Sequence, residues 1–469
     1  MPVNSFDDYP MSWRPKKELL KRPYYISLAD MMEEDIKNGT LAAGTQLPPQ
    51  RELADFLDLG FNTIMRTYTL CKERGLVYGT TGRGTFVAEN VQNSVLISSG
   101  DMKRNGLKHC IEMGYVAGFE SLQGCVTQTI REIAQKDDLT RYINYDNSLG
   151  MSHQKQAARN WVSAFGVDAE NLKVLIASST QNAIVTSVLA LFHPGDIIAV
   201  DWYTYANFIE IAMMYHIQLL PIPGDTRGML PIELQNVCRS IDVRGIFLMP
   251  TCSNPTSYSM DIARKQELAA VIRQYDLIVI EDDVYGFMST YMEESYRIPF
   301  SRLLPENTVY ICGISKAICT GMGVSFILYP SRFAAQLEKM HCLINTKTCS
   351  LNAEIITSLI ISGKAQKIIK AKLKMIQKAN EIFQHIFPDT ITAGNPYSFS
   401  KWVAINCTEN GIDLEKHLSE KGVHVFHSCR FILRPDYNHQ FLRISLSSTQ
   451  NLEELEQGLQ IIKENTEVL

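Results

Sequence analysis

Nowhere does this chain carry an apolar run long enough to span a bilayer; segments such as Ile246 to Pro250 fall far short of the roughly 20 residues a spanning helix needs, which argues against a membrane partner. The opening MPVNSFDDYPMSWRPKK sets acidic residues before its basic ones and has no apolar centre, so it does not read as a secretory signal. The eleven cysteines include no CxxC pair and no His-rich spacing, which excludes a zinc site or a disulfide frame as the organising device. Scattered reduced thiols fit a cytoplasmic protein. A net charge of -5 gives no excess of either sign that would itself draw the chain to nucleic acid, so any such binding needs a local basic face. No internal repeat is apparent, and 45% hydrophobic with 20% charged residues excludes long disorder.

What is present exceeds one hydrophobic core: 469 residues call for at least two domains. Residues 14–88 read as a small head. Ile26, Leu28, Met31, Met32 and Ile36 recur at helical spacing over Tyr24 to Asn38. Pro48-Pro49 opens a second helix through Leu53 and Phe56, and Gly60 turns the chain. A third helix follows from Asn62, a candidate N-cap, with Ile64, Tyr68, Leu70 and Cys71 facing inward. Leu76 to Tyr78 and Thr85 to Val87 predict a hairpin around the glycines at 79, 82 and 84. Three helices and a hairpin make a winged helix-turn-helix. Its third helix offers Asn62, Thr63, Arg66 and Thr67 to base edges and phosphates of double-stranded DNA, Arg51 sits at the start of the second helix, and Arg83 is on the wing. Any one of these arginines alone would be an ordinary solvated side chain.

Residues 89–108 are polar and without periodicity, and are read as a linker. From 109 to 469 short apolar runs alternate with helical segments: Val174 to Ile176, Ile197 to Val200, Gly245 to Met249, Leu277 to Ile280 and Val309 to Ile311. That alternation predicts an α/β domain with a mostly parallel sheet covered on both faces. A Lys-rich helix after about 365 leads into a smaller C-terminal lobe.

The chemistry gathers where these strands end. The strand through Tyr310 delivers Ser315 and Lys316 into a turn, and a lysine in such apolar surroundings is costly unless paired or condensed with an aldehyde. Leu277 to Ile280 runs into Glu281-Asp282-Asp283-Val284-Tyr285, so Asp282 is placed to keep a pyridine nitrogen protonated and Tyr285 to hydrogen-bond a ring oxygen. Asn254 follows the strand before it. Ser179, Thr180 and Gln181 open a helix whose N–H groups suit a phosphate, and Tyr205 is placed to stack on an aromatic ring. Taken singly, each is an ordinary capped turn; together they outline a cofactor cleft.

Two resemblances follow from these residues. "GTLAAGTQLPPQRELA", "NTIMRTY" and "GRGTFV" closely resemble the GntR family of winged-helix repressors, with Phe61 where that family usually has arginine. In the body, "EDDVY", "SNPT" and "SK" resemble the ring-nitrogen, ring-oxygen and Schiff-base motifs of fold-type I pyridoxal phosphate enzymes of the aminotransferase class. That likeness implies pyridoxal 5'-phosphate as cofactor, Lys316 as the condensing amine, and Arg443 in "FLRISLS" as the grip on an effector's carboxylate. It also implies a homodimer in which Tyr145 and Gly150, in "YDNSLG", complete the neighbouring site. The departures concern the phosphate: Gly313 replaces a usual Ser or Thr, Gly323 a usual Arg, and Ser179 a common Gly. Loss of the arginine removes a contact of about 1.5–3 kcal/mol. The joined halves resemble the MocR subfamily of GntR regulators, which implies a regulator whose body senses PLP or an amino compound. A working aminotransferase with a DNA-binding head, and a cofactor-free dimerisation body, are the alternatives.

Overall fold

The computed structural model describes residues 11–80, 82–88, 110–119, 122–144, 147–390, 392, 396–407, 410–433 and 439–469. Tyr145 and the linker at 89–108 lie outside them. The head has three helices, α1 (Tyr24–Lys37), α2 (Gln50–Leu57) and α3 (Phe61–Glu73), and an antiparallel wing, β1 (Val77–Thr80) with β2 (Gly84–Val87). Leu28, Met32, Ile36, Leu53, Leu57, Ile64, Tyr68 and Cys71 close its core. The helical periodicity thus converts directly into one buried seam.

The body is built on a seven-stranded sheet. In chain order its strands are β3 (Lys173–Ala177), β4 (Ile197–Asp201), β5 (Gln218–Ile222), β6 (Val243–Leu248), β7 (Ile278–Asp282), β8 (Thr308–Gly313) and β9 (Ser325–Tyr329). Across the sheet they lie β3-β9-β8-β7-β6-β4-β5, with β9 alone antiparallel to its neighbours. Successive residues serve opposite faces: Ile198 and Val200 join one buried cluster, Ile197 and Ala199 the other. This two-sided burial is why the strands read as unbroken apolar runs. Two strands escape the sequence reading, β5 and β9. β5 carries Pro221, which an edge strand tolerates because one side of its backbone has no ladder to serve.

The smaller lobe has a four-stranded sheet led by β10 (Ser400–Asn406) and β11 (Gln440–Ser445), preceded by the helix Lys364–Ile386. Its membership is wider than the expected start near 365, because Ile111 and Glu112 pair with Val423 and His424. Head and body meet at the opening end of β4 and β5. Gln218 Nε2 donates to Val77 O at 2.5 Å, and Tyr78 and Phe86 share a cluster with Ile197 and Leu220. Gly75 and Gly195 permit backbone contact there: a Cβ would lie 2.7 Å from His216 O at the first and 2.8 Å from Lys72 O at the second, and both have positive φ.

Candidate functional site

The C-terminal ends of the parallel strands, together with β11, enclose a cavity of about 330 Å³. The cofactor and effector residues singled out in the body line it: Ser179, Thr180, Gln181, Tyr205, Asn254, Asp282, Tyr285, Ser315, Lys316 and Arg443. Topology explains the convergence, since parallel strands deliver their following turns to one edge of the sheet. Asp282 ends β7, Gly313 ends β8 just before the turn carrying Lys316, and α4 (Thr180–Leu191) begins three residues after β3 ends. Sequence reading missed Tyr115, Val116 and Asn207. The first two arrive on an irregular segment with no motif, while Asn207 had a faint signal in its place two residues beyond Tyr205.

Lys316 and Asp282 are the chemical poles. The Lys316 amine donates to Val116 O, and burial, helped by the positive charge of Arg443, lowers its pKa to about 8. Burial, then the neighbouring Asp283, raises Asp282 to about 7, and its Oδ1 is buried with no hydrogen-bond partner. A desolvated carboxylate oxygen lacking a donor matches a protonated ring nitrogen, and an amine largely neutral slightly above physiological pH matches an aldehyde. The ring end of pyridoxal 5'-phosphate therefore fits these residues. Tyr205 donates its hydroxyl to Gln181 Oε1 at 3.1 Å, and burial raises its pKa.

Because condensation needs the unprotonated amine, capture of an aldehyde is expected to speed up about tenfold per pH unit as pH approaches 8 and then to level off. Stopped-flow absorbance across pH 6–9.5 checks this; a flat profile contradicts it.

Arg443 is held by two hydrogen bonds, Nη1 to Asn254 Oδ1 at 2.7 Å and Nη2 to Gly114 O at 2.6 Å, while Nε is buried and unpartnered. Its guanidinium lies 5.2 Å from the ring centre of Phe426 and 4.7 Å from that of Phe431. Burial brings its pKa down to about 10, so it remains cationic at neutral pH. Those aromatic walls stand on a buried ion pair: Glu415 accepts from Arg430 Nη2 at 2.5 Å and from His427 N at 2.7 Å. With side-chain exposures of only 14% for Arg430 and 6% for Glu415, Glu415→Ala is expected to cost about 3–5 kcal/mol, measured as a lower urea midpoint. An unchanged midpoint contradicts this.

On the head, Arg51, Asn62, Arg66 and Arg83 are exposed and Thr63 is half-buried. The Arg66 guanidinium lies over the Tyr25 ring, 4.1 Å from its centre. Two expectations need correction. Thr67 is fully buried, its hydroxyl bonded to Thr63 O and Tyr25 O, so it cannot reach DNA; a hydroxyl at this position bonds back along its own helix and secures the α1 contact. Asn62 is not the N-cap of α3: Gly60 is, and Asn62 sits inside the first turn with its side chain outward. Phe61 and Met65, unremarked as contacts at the sequence level, are 44% and 42% exposed on the same helix. Gly150 packs against β3 of its own chain, where a Cβ would lie 2.7 Å from Ile176 Cδ1.

Fold and cleft define an aminotransferase-like body carrying a winged-helix head. Residues 118–462 match the family Aminotransferase class I and II, and residues 25–87 match Bacterial regulatory proteins, gntR family. The chain belongs to the aminotransferase class I and II family and, with its gntR-family head, has the two-part build of the MocR subfamily. It is 29% identical over 464 residues to the HTH-type transcriptional regulator YdeF of Bacillus subtilis (strain 168), covering 99% of this chain and 98% of that one. Over 407 residues it is 23% identical to the HTH-type transcriptional regulator YjiR of Escherichia coli (strain K12), covering 81% and 86%. Its fold matches kynurenine aminotransferase of Pyrococcus horikoshii with a TM-score of 0.70 at 17% identity, covering 79% of this chain and 95% of that one. Aspartate aminotransferase of Thermus thermophilus gives 0.66 at 15% identity, covering 78% and 94%. Among the described residues, no helix is long and apolar enough to cross a membrane, and no cluster of His, Cys, Asp and Glu suits a metal.

Proposed function

We propose that this protein is a homodimeric, DNA-binding transcriptional regulator of the cytoplasm whose aminotransferase-like body senses pyridoxal 5'-phosphate together with an amino compound. The observation carrying this reading is that Lys316, Asp282 and Arg443, far apart in sequence, line one cleft in a chain that also carries a gntR-family head. When bound, the cofactor would supply an aldehyde that condenses with amines and a ring that accepts electron density. The protein's own part is positional. Lys316 presents its amine, Asp282 would hold the ring nitrogen's proton, and Asn254 and Tyr285 would face the ring oxygen. Tyr205 would flank the ring, and Ser179, Thr180, Gln181 and Ser315 would meet the phosphate. Arg443 would receive the carboxylate of an amino-acid-like effector, for which its unpartnered Nε is one open donor.

On the head, Arg51, Arg66 and Arg83 would contact phosphates while Asn62 and Thr63 face base edges. The exposed Phe61 and Met65 suit thymine methyl groups in the major groove. A direct mechanical link supports coupling: β4 starts at the head–body seam and ends four residues before Tyr205. Gly195→Ala would force a side chain into positive φ at that seam, with backbone 2.8 Å away. It is expected to blunt the ligand's effect on DNA affinity while leaving PLP uptake intact, as read by parallel DNA-binding and absorbance titrations. An undiminished ligand effect contradicts that link.

The same cleft residues favour one other reading, a working aminotransferase. Titration with PLP and then with amino acids, followed by addition of a 2-oxo acid, separates the two. A regulator shows spectral change and altered DNA affinity with a single turnover at most; sustained amino transfer establishes the enzyme.

A further inference from the structure

The phosphate-facing part of the cleft is uncharged. At the start of α4 the cavity is lined by Ser179, Thr180 and Gln181, joined by Asn207 and Ser315. The two cations lining the cavity hydrogen-bond to other groups: Lys316 to Val116 O, and Arg443 to Asn254 and Gly114. Some of the local donors are already used. Asn182 N donates to Ser179 Oγ, and Ser178 Oγ shares a hydrogen bond with Thr348 Oγ1 at 3.2 Å. Thr180 Oγ1, by contrast, is buried with no partner at all, a polar group waiting for one.

The backbone itself maintains this neutrality. A Cβ at Gly313 would stand 2.3 Å from Thr180 Oγ1 and 2.8 Å from Val284 Cγ2, so a side chain there would displace the Thr180 hydroxyl. Gly323 has φ +56, and a Cβ there would lie 2.9 Å from Ser178 O. An arginine at 323 would be strained in its backbone and crowded against a carbonyl. The two departures noted in the sequence are thus built into the packing.

We propose that the cleft recognises the phosphate of pyridoxal 5'-phosphate through neutral donors alone, chiefly the Thr180 and Ser315 hydroxyls and the first N–H groups of α4. It therefore distinguishes phosphorylated from unphosphorylated pyridoxal-type aldehydes by hydrogen bonding rather than by ion pairing, and less strongly than a cleft with a fixed arginine would. This rests on the reading of Lys316 as the aldehyde-capturing amine. Hydrogen bonds from neutral donors to an ionised phosphate are still charge-assisted, but without a fixed cation no ion pair or bidentate guanidinium contact adds to them.

The test is an absorbance titration of the full-length protein with PLP and with 5-deoxypyridoxal, which has the aldehyde but neither the phosphate nor the hydroxyl that would close on it. Recognition through neutral donors predicts a preference for PLP that depends little on salt. Thr180→Val is expected to weaken PLP several-fold and 5-deoxypyridoxal less. A preference that falls steeply with salt, or a Thr180→Val variant that weakens both equally, overturns the proposal. Failure of the underlying reading has a different signature, in which neither aldehyde develops the visible absorption of a Lys316 adduct.

Discussion

Replacing Lys316 by alanine is expected to abolish the visible absorption that develops when PLP is added and to weaken retention of the cofactor by more than about a hundredfold. The covalent bond is then lost, and only hydrogen bonds remain, about 0.5–1.5 kcal/mol each to neutral groups and about 1.5–3 kcal/mol to an ionised phosphate. The effect is large because the lining proposed to meet the phosphate carries no cation to retain it. The fold should survive. Removing a buried amine whose pKa is already depressed to about 8 by desolvation relieves a penalty, so thermal stability is expected to hold or rise. A variant that still forms the absorbing adduct would place the condensing amine elsewhere, and the first alternative to examine is Lys372. Its Nζ is buried against Lys316 O and Ile318 O.

The second large effect is on the head. Arg51, Arg66 and Arg83 are exposed on α2, α3 and the wing of one small domain with a single closed core. If each neutralises one phosphate, the triple alanine variant loses about 0.9 from the slope of log affinity against log salt for each contact removed. At low salt its affinity for duplex DNA is expected to drop by at least about a hundredfold across all sequences, because phosphate contacts carry no base preference. Thr67→Val provides the contrast. Its hydroxyl is buried in the α1–α3 contact, so that change is expected to cost stability of about 1 kcal/mol and to leave the salt slope unchanged. Electrophoretic or fluorescence titrations at several salt concentrations decide both; a triple variant with the parental slope contradicts the assigned face.

Much of this was legible in the sequence for identifiable reasons. Strands buried on both faces must be apolar throughout, which made β3, β4, β6, β7 and β8 visible, and the polar residues at their ends had to sit at one edge once the strands were parallel. What stayed hidden depended on long-range contact. β5 hides its strand character behind Pro221, and β9 follows a glycine-rich turn and runs against its neighbours. Tyr115 and Val116 reach the cleft only because residues 111–112 are drawn into the small lobe by pairing with 423–424. The burial of Thr67 was invisible because a polar residue on a helix reads as outward until its neighbour α1 is in place. The meaning of Gly313 and Gly323 also needed coordinates: the sequence marks the loss of two phosphate ligands, while the packing reveals that side chains there would collide.

The central claim is that one cleft controls one DNA-reading head through a condensed aldehyde. Its most direct test measures the affinity of full-length protein for a duplex selected from a random pool, first alone, then with PLP, then with PLP and a series of amino acids, for the parent and for Lys316→Ala side by side. The account predicts that at least one of these ligand additions changes the parent's DNA affinity and that the variant does not respond. Identical responses in the two proteins, or DNA binding indifferent to every ligand that alters the absorbance, would contradict it.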